Sequence, residues 1–278
     1  MTPPSPGISE KRRTFRDLHA SGCFVIPNPW DIGSARYLRH LGFKALATTS
    51  SGFAWSRGHA DNTVARDKVL AHLREMVDAT DLPVNADFEA GFARDAAGVA
   101  ESVRLAVGTG VAGLSIEDST GDADNPLYAI DVAIERMRAA RAAIDDAGGD
   151  TLLVGRSEGF IVGRPDLAET IARLKAYANA GADCLYAPGI RTPEQIRGVV
   201  DAVAPKPVNL LIGWASDLTL DGVAGLGVRR ISVGGALARS AWGGFMRAAK
   251  AIAEHGRFDG FADAASGAEL NALFRANA

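Results

Sequence analysis

A (β/α)8 barrel, the TIM-barrel form of the α/β class, with a helical extension at its C-terminal end, is the fold the sequence predicts. Eight short apolar runs alternate with eight helix-length segments along 278 residues. A barrel of about 250 residues uses nearly all of that length. The runs read as continuously apolar, as strands of a parallel sheet covered on both faces do. An open doubly wound sheet is the competitor, but it usually has fewer strands, and no GxGxxG follows the first run.

The elements follow from apolar period and punctuation. The first strand is read at Cys23–Ile26, ended by PNPWD, and its helix at Ile32–Leu41 stops at Gly42. The second, Lys44–Thr49, ends in Ser50, Ser51 and Gly52 and leads to a helix at Ala65–Ala79. Then come Pro83–Phe88 with Asp95–Gly108, and Gly113–Asp118 with Ala129–Ala147. Thr151–Ser157 pairs with Asp166–Ala180, and Asp183–Ala187 with Pro193–Val203. Pro207–Ile212 precedes a short helix at Leu218–Ala224, and Arg229–Val233 precedes a helix at Ala236–His255. One domain covers 1–278: residues 1–22 are an N-terminal arm and helix, frayed over 1–7, and 257–278 a helical tail.

Composition narrows the function. Hydrophobic residues make up 47% and charged residues 23%, enough apolar material for a large core. A net charge of -3 gives no basic excess to neutralise a phosphate backbone, which argues against nucleic acid. Cys23 and Cys184 form neither a disulfide framework nor a zinc pattern, and Cys184 reads as a small core residue. No apolar run approaches the ~20 residues that span a bilayer, and the N-terminus lacks the apolar stretch of a secretory signal. The expectation is a soluble, cytoplasmic protein with no membrane partner.

In such a barrel, reacting groups come from the C-terminal ends of the strands. That rule selects Trp30, the run Thr49, Ser50, Ser51 and Gly52, then Asp87, Glu89, Glu117, Arg156 and Asn209. Asp87, Glu89 and Glu117 would crowd one another as like charges, which a cation would relieve. Hard oxygen donors without His or Cys favour Mg2+ or Mn2+. Arg156 fits a carboxylate clamp through its planar fork, with a structural ion pair to Glu117 as the rival reading. Thr49–Gly52 offers backbone N–H groups and hydroxyls to a second anion, or merely a turn. His59, in the polar loop SRGHADN, reads as solvated or gating. Arg229 and Arg230, in GVRR, read as a solvated face. Ser119–Asn125 (STGDADN) reads as a mobile lid.

The stretches NPWDIGSARYLRHLGFKALATTSSGFA, VNADFEAGF, GLSIEDS, GRSEGF and GADCLYAPG, in that order, resemble the isocitrate lyase/phosphoenolpyruvate mutase superfamily. The resemblance runs from about Phe24 to Glu254. It implies a (β/α)8 barrel and Mg2+-dependent making or breaking of a C–C or P–C bond beside a 2-oxo acid, through an enolate-like intermediate. It also implies a homodimer or homotetramer with an exchanged last barrel helix. By the same resemblance Asp87, Asp61 and Glu117 belong to the metal site. Thr49–Ser51 bind the substrate carboxylate, and Arg156 and Asn209 bind substrate. Asn85 stands where many members carry another Asp. Where the lyases carry a Cys-containing loop after the strand-four Glu-Asp, this chain reads Ser119-Thr120-Gly121-Asp122. Where the phosphonate-processing members carry Lys, it has Ser119.

These residues point first to a lyase or decarboxylase for a small 2-oxo or 2-hydroxy (di)carboxylate. Asp87, Glu117 and Arg156 carry the chemistry, and Asp61, Asp87, Glu89 and Glu117 surround Mg2+ or Mn2+. A metal-bound water, Tyr186 or His59 could donate the proton. The alternatives are P–C chemistry of the phosphonopyruvate hydrolase or phosphoenolpyruvate mutase kind, and a non-catalytic 2-oxo acid binder.

Overall fold

The structure, a computed structural model, describes residues 6–276; the frayed end expected over 1–7 therefore falls largely outside them. Eight parallel strands carry the fold: β1 (Phe24–Ile26), β2 (Leu46–Ala47), β3 (Val84–Asp87), β4 (Gly113–Glu117), β5 (Leu152–Arg156), β6 (Cys184–Tyr186), β7 (Val208–Leu211) and β8 (Arg230–Ser232). Their order in the sheet is β1-β8-β7-β6-β5-β4-β3-β2. The seam between β1 and β2 is bridged by Ala47 N–H donating to Pro27 O at 3.0 Å. Asn28 closes it further: its amide donates to Thr48 O, and its Oδ1 accepts from the N–H groups of Val233 and Gly234, each at 2.9 Å. The result is a nearly closed (β/α)8 barrel.

Eleven helices surround it among the described residues. They are α1 (Ile8–Ala20), α2 (Ile32–His40), α3 (Ser50–Ser56), α4 (Arg66–Asp78), α5 (Ala96–Val107), α6 (Ile130–Asp146), α7 (Leu167–Asn179), α8 (Pro193–Val203), α9 (Leu220–Ala224), α10 (Ala236–His255) and α11 (Gly267–Ala276). Side-chain caps fix several starts. Asp31 with Ser34, and Thr192 with Gln195, form reciprocal capping boxes. Asp95 and Asp166 accept from the third helical N–H of α5 and α7. Among the described residues no helix is long and apolar enough to cross a membrane.

Strand alternation divides the side chains into two sets. Val84, Ala86, Leu114, Ile116, Leu153, Leu185, Leu210 and Ile231 face the helices in one buried cluster. Burying each large member contributes about 1.5–3 kcal/mol. The alternate positions Asn85, Asp87, Ser115, Arg156, Tyr186, Asn209, Arg230 and Ser232 line a cavity inside the barrel. The interior is thus markedly polar, where such barrels usually stack branched apolar side chains.

The N-terminal end is closed by α1. Lys11 donates to Val77 O and Thr80 O at the end of α4, and Arg12 to Val107 O and Val111 O beyond α5, satisfying last-turn carbonyls. Phe15 is fully buried under the strands. At the other extremity α10 departs from the barrel: of its 20 residues only Ala238 is buried. The chain returns through a 3-10 turn (Asp259–Phe261) packed on α10, and α11 lies against α2. The described part of the tail, through residue 276, therefore packs on its own chain.

His72, on α4, stacks on Phe53 with centroids 3.9 Å apart and planes at 9°. Burial holds its pKa down at about 4. The unfolded chain takes up that proton near pH 6.5. The contribution is therefore intact above that pH and is lost as pH falls toward 4; at pH 5 the loss is about 2 kcal/mol. His72→Phe keeps the stack and removes an Nε2 that has no hydrogen-bond partner. We expect it to raise Tm, relative to the wild type, by more at pH 5 than at pH 7.5. An equal difference at both pH values contradicts this.

Candidate active site

The cavity at the C-terminal mouth holds about 170 Å3. Asp87, the last residue of β3, is its most connected carboxylate. Its N–H donates to Thr48 Oγ1 and its Oδ2 accepts from Ser50 N–H, both at 2.9 Å. Its Oδ1 accepts from Arg156 Nη1 at 3.1 Å. Arg156, the last residue of β5, also lies 3.1 Å from Glu117 Oε2 and donates to Glu158. Its guanidinium stands 5.2 Å from the centre of the Tyr186 ring. The clamp and the structural ion-pair readings of Arg156 are thus both realised in one side chain.

Glu117 and Asp118 part company because neighbours in a strand face opposite sides. Glu117 turns inward to Arg156. Asp118 turns outward, accepts from Tyr177 Oη at 2.6 Å and Arg173 Nη1 at 3.3 Å, and holds the Glu158 N–H at 2.7 Å. That anchor fixes the segment carrying Arg156 and Glu158.

Acid crowding around Asp87 is visible in the proton affinities. Burial, then the charges of Asp87 and Asp61, pushes the Glu89 carboxyl up to about 8. Glu117 is raised well above the carboxylate range, by burial first and by Glu158, Asp87 and Glu89, against the pull of Arg156. Asp61 lies on an exposed loop, yet its carboxyl lines the cavity; lost hydration and then Asp87 raise its pKa. Glu89 holds a left-handed backbone, φ 49°, uncommon for a residue with a side chain. Its loop is pinned by the buried Arg136, which donates to the carbonyls of Ala90, Ala93 and Arg94.

The expected site is corrected in several places. Trp30 and Gly52 do not line the cavity; they pack on each other, and a Cβ on Gly52 would lie 3.0 Å from the Trp30 Cβ and 2.7 Å from Thr49 Cγ2. Thr49 caps α3, whose first residues are Ser50 and Ser51, so the expected turn is a helix start; all three do line the cavity, as does Asn209. Glu89 borders a small crevice behind Asp87, with Phe53 and His72. Asp61, Asp87, Glu89 and Glu117 do not form a ready-made metal cage: among the described residues no three His, Cys, Asp or Glu are grouped to hold an ion. The donor chemistry still suits a hard cation that keeps several waters and binds through one or two carboxylates, because Asp87 faces the cavity among more acids than the single Arg156 guanidinium balances.

His59 is exposed and borders a surface hollow with Arg57 and Lys68, away from the cavity. Cys184 is a buried core residue of β6, as expected. Ser119–Asn125 is a hairpin closed by a Ser119–Leu127 bridge and by Thr120 N–H donating to Pro126 O at 3.0 Å. In this conformation none of its residues lines the cavity, and its own hydrogen bonds shape it. Arg230 overturns the solvated-face reading of GVRR: it is 2% exposed and lines the cavity. Ser115 was also missed. The signal for both was a polar residue at every second position of an otherwise apolar strand.

Fold and site together define a barrel enzyme with an acid- and guanidinium-lined pocket at the strand ends. The family model for phosphoenolpyruvate phosphomutase matches residues 15–253. The chain belongs to that family, within the isocitrate lyase/phosphoenolpyruvate mutase superfamily of carbon–carbon lyases and mutases. A protein of Burkholderia cenocepacia J2315 with a solved structure is 48% identical with a TM-score of 0.93, covering 96% of this chain and 97% of that one. An oxaloacetate decarboxylase of Paraburkholderia xenovorans is 29% identical, over 80% of this chain and 74% of its own. An oxaloacetate acetylhydrolase solved with its product oxalate is 26% identical with a TM-score of 0.84, over 96% and 94%.

Proposed function

We propose that this protein is a Mg2+-dependent (or Mn2+-dependent) carbon–carbon lyase or decarboxylase for a small 2-oxo or 2-hydroxy (di)carboxylate. The observation that carries this is the junction of Asp87, Arg156 and Glu117 on a polar cavity of about 170 Å3, room for a short-chain acid and little else. The named activities of the oxaloacetate relatives support it.

Asp87, with Asp61 beside it, would hold the cation. Bound there, it supplies Lewis-acid stabilisation of negative charge developing on a substrate oxygen. The protein's part is positioning and proton control. Thr49, Ser50 and Ser51 present hydroxyls to one carboxylate. Arg156 faces the same space with its charge fixed by three acids, and Asn209 adds an amide. Holding the scissile bond in one orientation can supply several kcal/mol of the barrier. Tyr186 lines the cavity, and burial pushes its hydroxyl to about 12. It stays protonated at neutral pH and, of the two side chains considered as proton donors, is the one that faces the site.

The experiment is a screen of 2-oxo and 2-hydroxy mono- and dicarboxylates with Mg2+, reading pyruvate, CO2 and inorganic phosphate. C–C cleavage that stops with EDTA is the expected result. Phosphate release from phosphonopyruvate would instead favour P–C chemistry, and stabilisation by ligand without turnover a non-catalytic binder.

Self-association belongs to the same proposal. On α10, Phe245 is 62% and Met246 61% exposed, with Trp242 stacked edge-on against Phe245. A helix that buries one residue on its own barrel and exposes such side chains suits exchange onto a second copy. Light scattering after size exclusion is expected to give a dimer or tetramer, and Phe245→Glu with Met246→Glu to shift it toward monomer. A monomeric wild type contradicts this.

A further inference from the structure

Two guanidiniums line the cavity, and their surroundings differ. Arg156 is matched by Asp87, Glu117 and Glu158. Arg230, the first residue of β8, forms no ion pair with any described carboxylate, although it is 2% exposed. Its Nε donates to Asn209 Oδ1 at 2.8 Å. Its Nη1 stands 3.4 Å from both Asn85 Oδ1 and His19 Nε2. Among the described residues its Nη2 has no hydrogen-bond partner.

None of these neighbours can serve as a counter-charge. Asn85 and Asn209 are amides. His19 is driven to a pKa of about 3, by burial first and then by Arg230, and is neutral. The other deeply buried guanidinium without an acid, Arg136, is instead saturated by three backbone carbonyls. A buried charge with neither a counter-ion nor a full set of acceptors is destabilising. Arg230 keeps that arrangement at the inner end of an open cavity, where an incoming anion could complete it.

We propose that Arg230 determines specificity by binding a second carboxylate of the substrate, so that the site selects dianionic over monoanionic acids. This rests on the function proposed above and adds which residue reads the far end of the ligand. The ligand spans the cavity, one end at Asp87 and Thr49–Ser51, the other at Arg230 between Asn85 and Asn209. The volume of about 170 Å3, roughly that of five or six waters, limits it to a short chain.

The test compares malate with 2-hydroxybutyrate, which differ chiefly by one carboxylate and are both chemically stable, by calorimetric titration with Mg2+ present. Wild type is expected to bind malate at least about tenfold more tightly, the yield of one charge-assisted contact. Arg230→Met should bring malate to within about twofold of 2-hydroxybutyrate and leave the latter unchanged, with Arg230→Lys between. Arg230→Met leaves the buried Asn209 Oδ1 without its donor, so the two acids are compared on the same folded variant, and Arg230→Lys, which keeps a cationic donor, controls for the lost hydrogen bond. Asn85→Asp supplies a second route. It is nearly isosteric, places a carboxylate beside Nη1, and should suppress the preference for malate without removing the arginine.

An unchanged preference in both Arg230→Met and Asn85→Asp overturns the proposal, as does a wild type that binds the two acids equally or binds neither. Its failure is separable from failure of the proposed function. If the cation site is wrong, EDTA and Asp87→Asn leave malate binding intact while Arg230→Met still weakens it to the level of 2-hydroxybutyrate. If the Arg230 assignment is wrong, the reverse pattern appears.

Discussion

Arg156→Met is expected to lower folding stability by about 3–5 kcal/mol at pH 8, the usual cost of removing one partner from a buried ion-pair cluster. Arg156 is the shared cation of Asp87, Glu117 and Glu158, whose side chains are 19%, 10% and 4% exposed. Without it, burial leaves at least two carboxylates with no counter-charge. They respond by taking up protons in the folded state at pH values where the unfolded chain has lost them. Folded affinities raised in this way mean that stability falls as pH rises above the unfolded carboxylate range. The defect should therefore be largest at pH 8 and shrink toward pH 5. Urea denaturation of wild type and variant at both pH values measures it. A variant as stable as wild type at pH 8 contradicts the account of the cluster.

Asp87→Asn is expected to do the opposite: little or no loss of stability, and a loss of turnover of about 10²–10³-fold or more, as when a transition-state charge stabiliser is removed. Asn keeps an oxygen for the Ser50 N–H. Arg156 keeps Glu117 and Glu158. The like charge that helps raise Glu89 and Glu117 is gone, so the unliganded protein is relieved rather than strained. Activity under Mg2+, paired with a thermal melt without it, separates the two effects. Full turnover in the variant would remove Asp87 from the chemistry.

The barrel was legible because apolar runs and Gly, Asn and Asp breaks record strands and helices locally. The eight strands lie where the runs were, shortened to the residues that form ladders. The helix at Ser50–Ser56 was hidden, since TSSGFAWS has too few turns to show a period, and Thr49 looked like a turn residue before it was seen to cap. Asp87 and Arg156 were legible because barrel chemistry gathers at strand ends; Asn209, the second residue of β7, was legible as a polar residue within an apolar strand. Arg230 was not: it opens its strand rather than ending it, and beside Arg229 it looked like surface charge. Its burial is a property of barrel closure, which sets β8 between β1 and β7. Trp30 and Gly52 show the converse. They sit at the right place in the chain, but each fills the other's space.

The central claim is that Asp87 holds a divalent cation where a bound keto or hydroxy acid meets the cavity wall. Anomalous scattering from crystals soaked with Mn2+ and oxalate tests it most directly. The account predicts a metal peak beside the Asp87 carboxylate, facing Thr49–Ser51, that is absent in Asp87→Asn. A cavity without a peak at saturating Mn2+, Asp87 still paired only with Arg156 and Ser50, would contradict it.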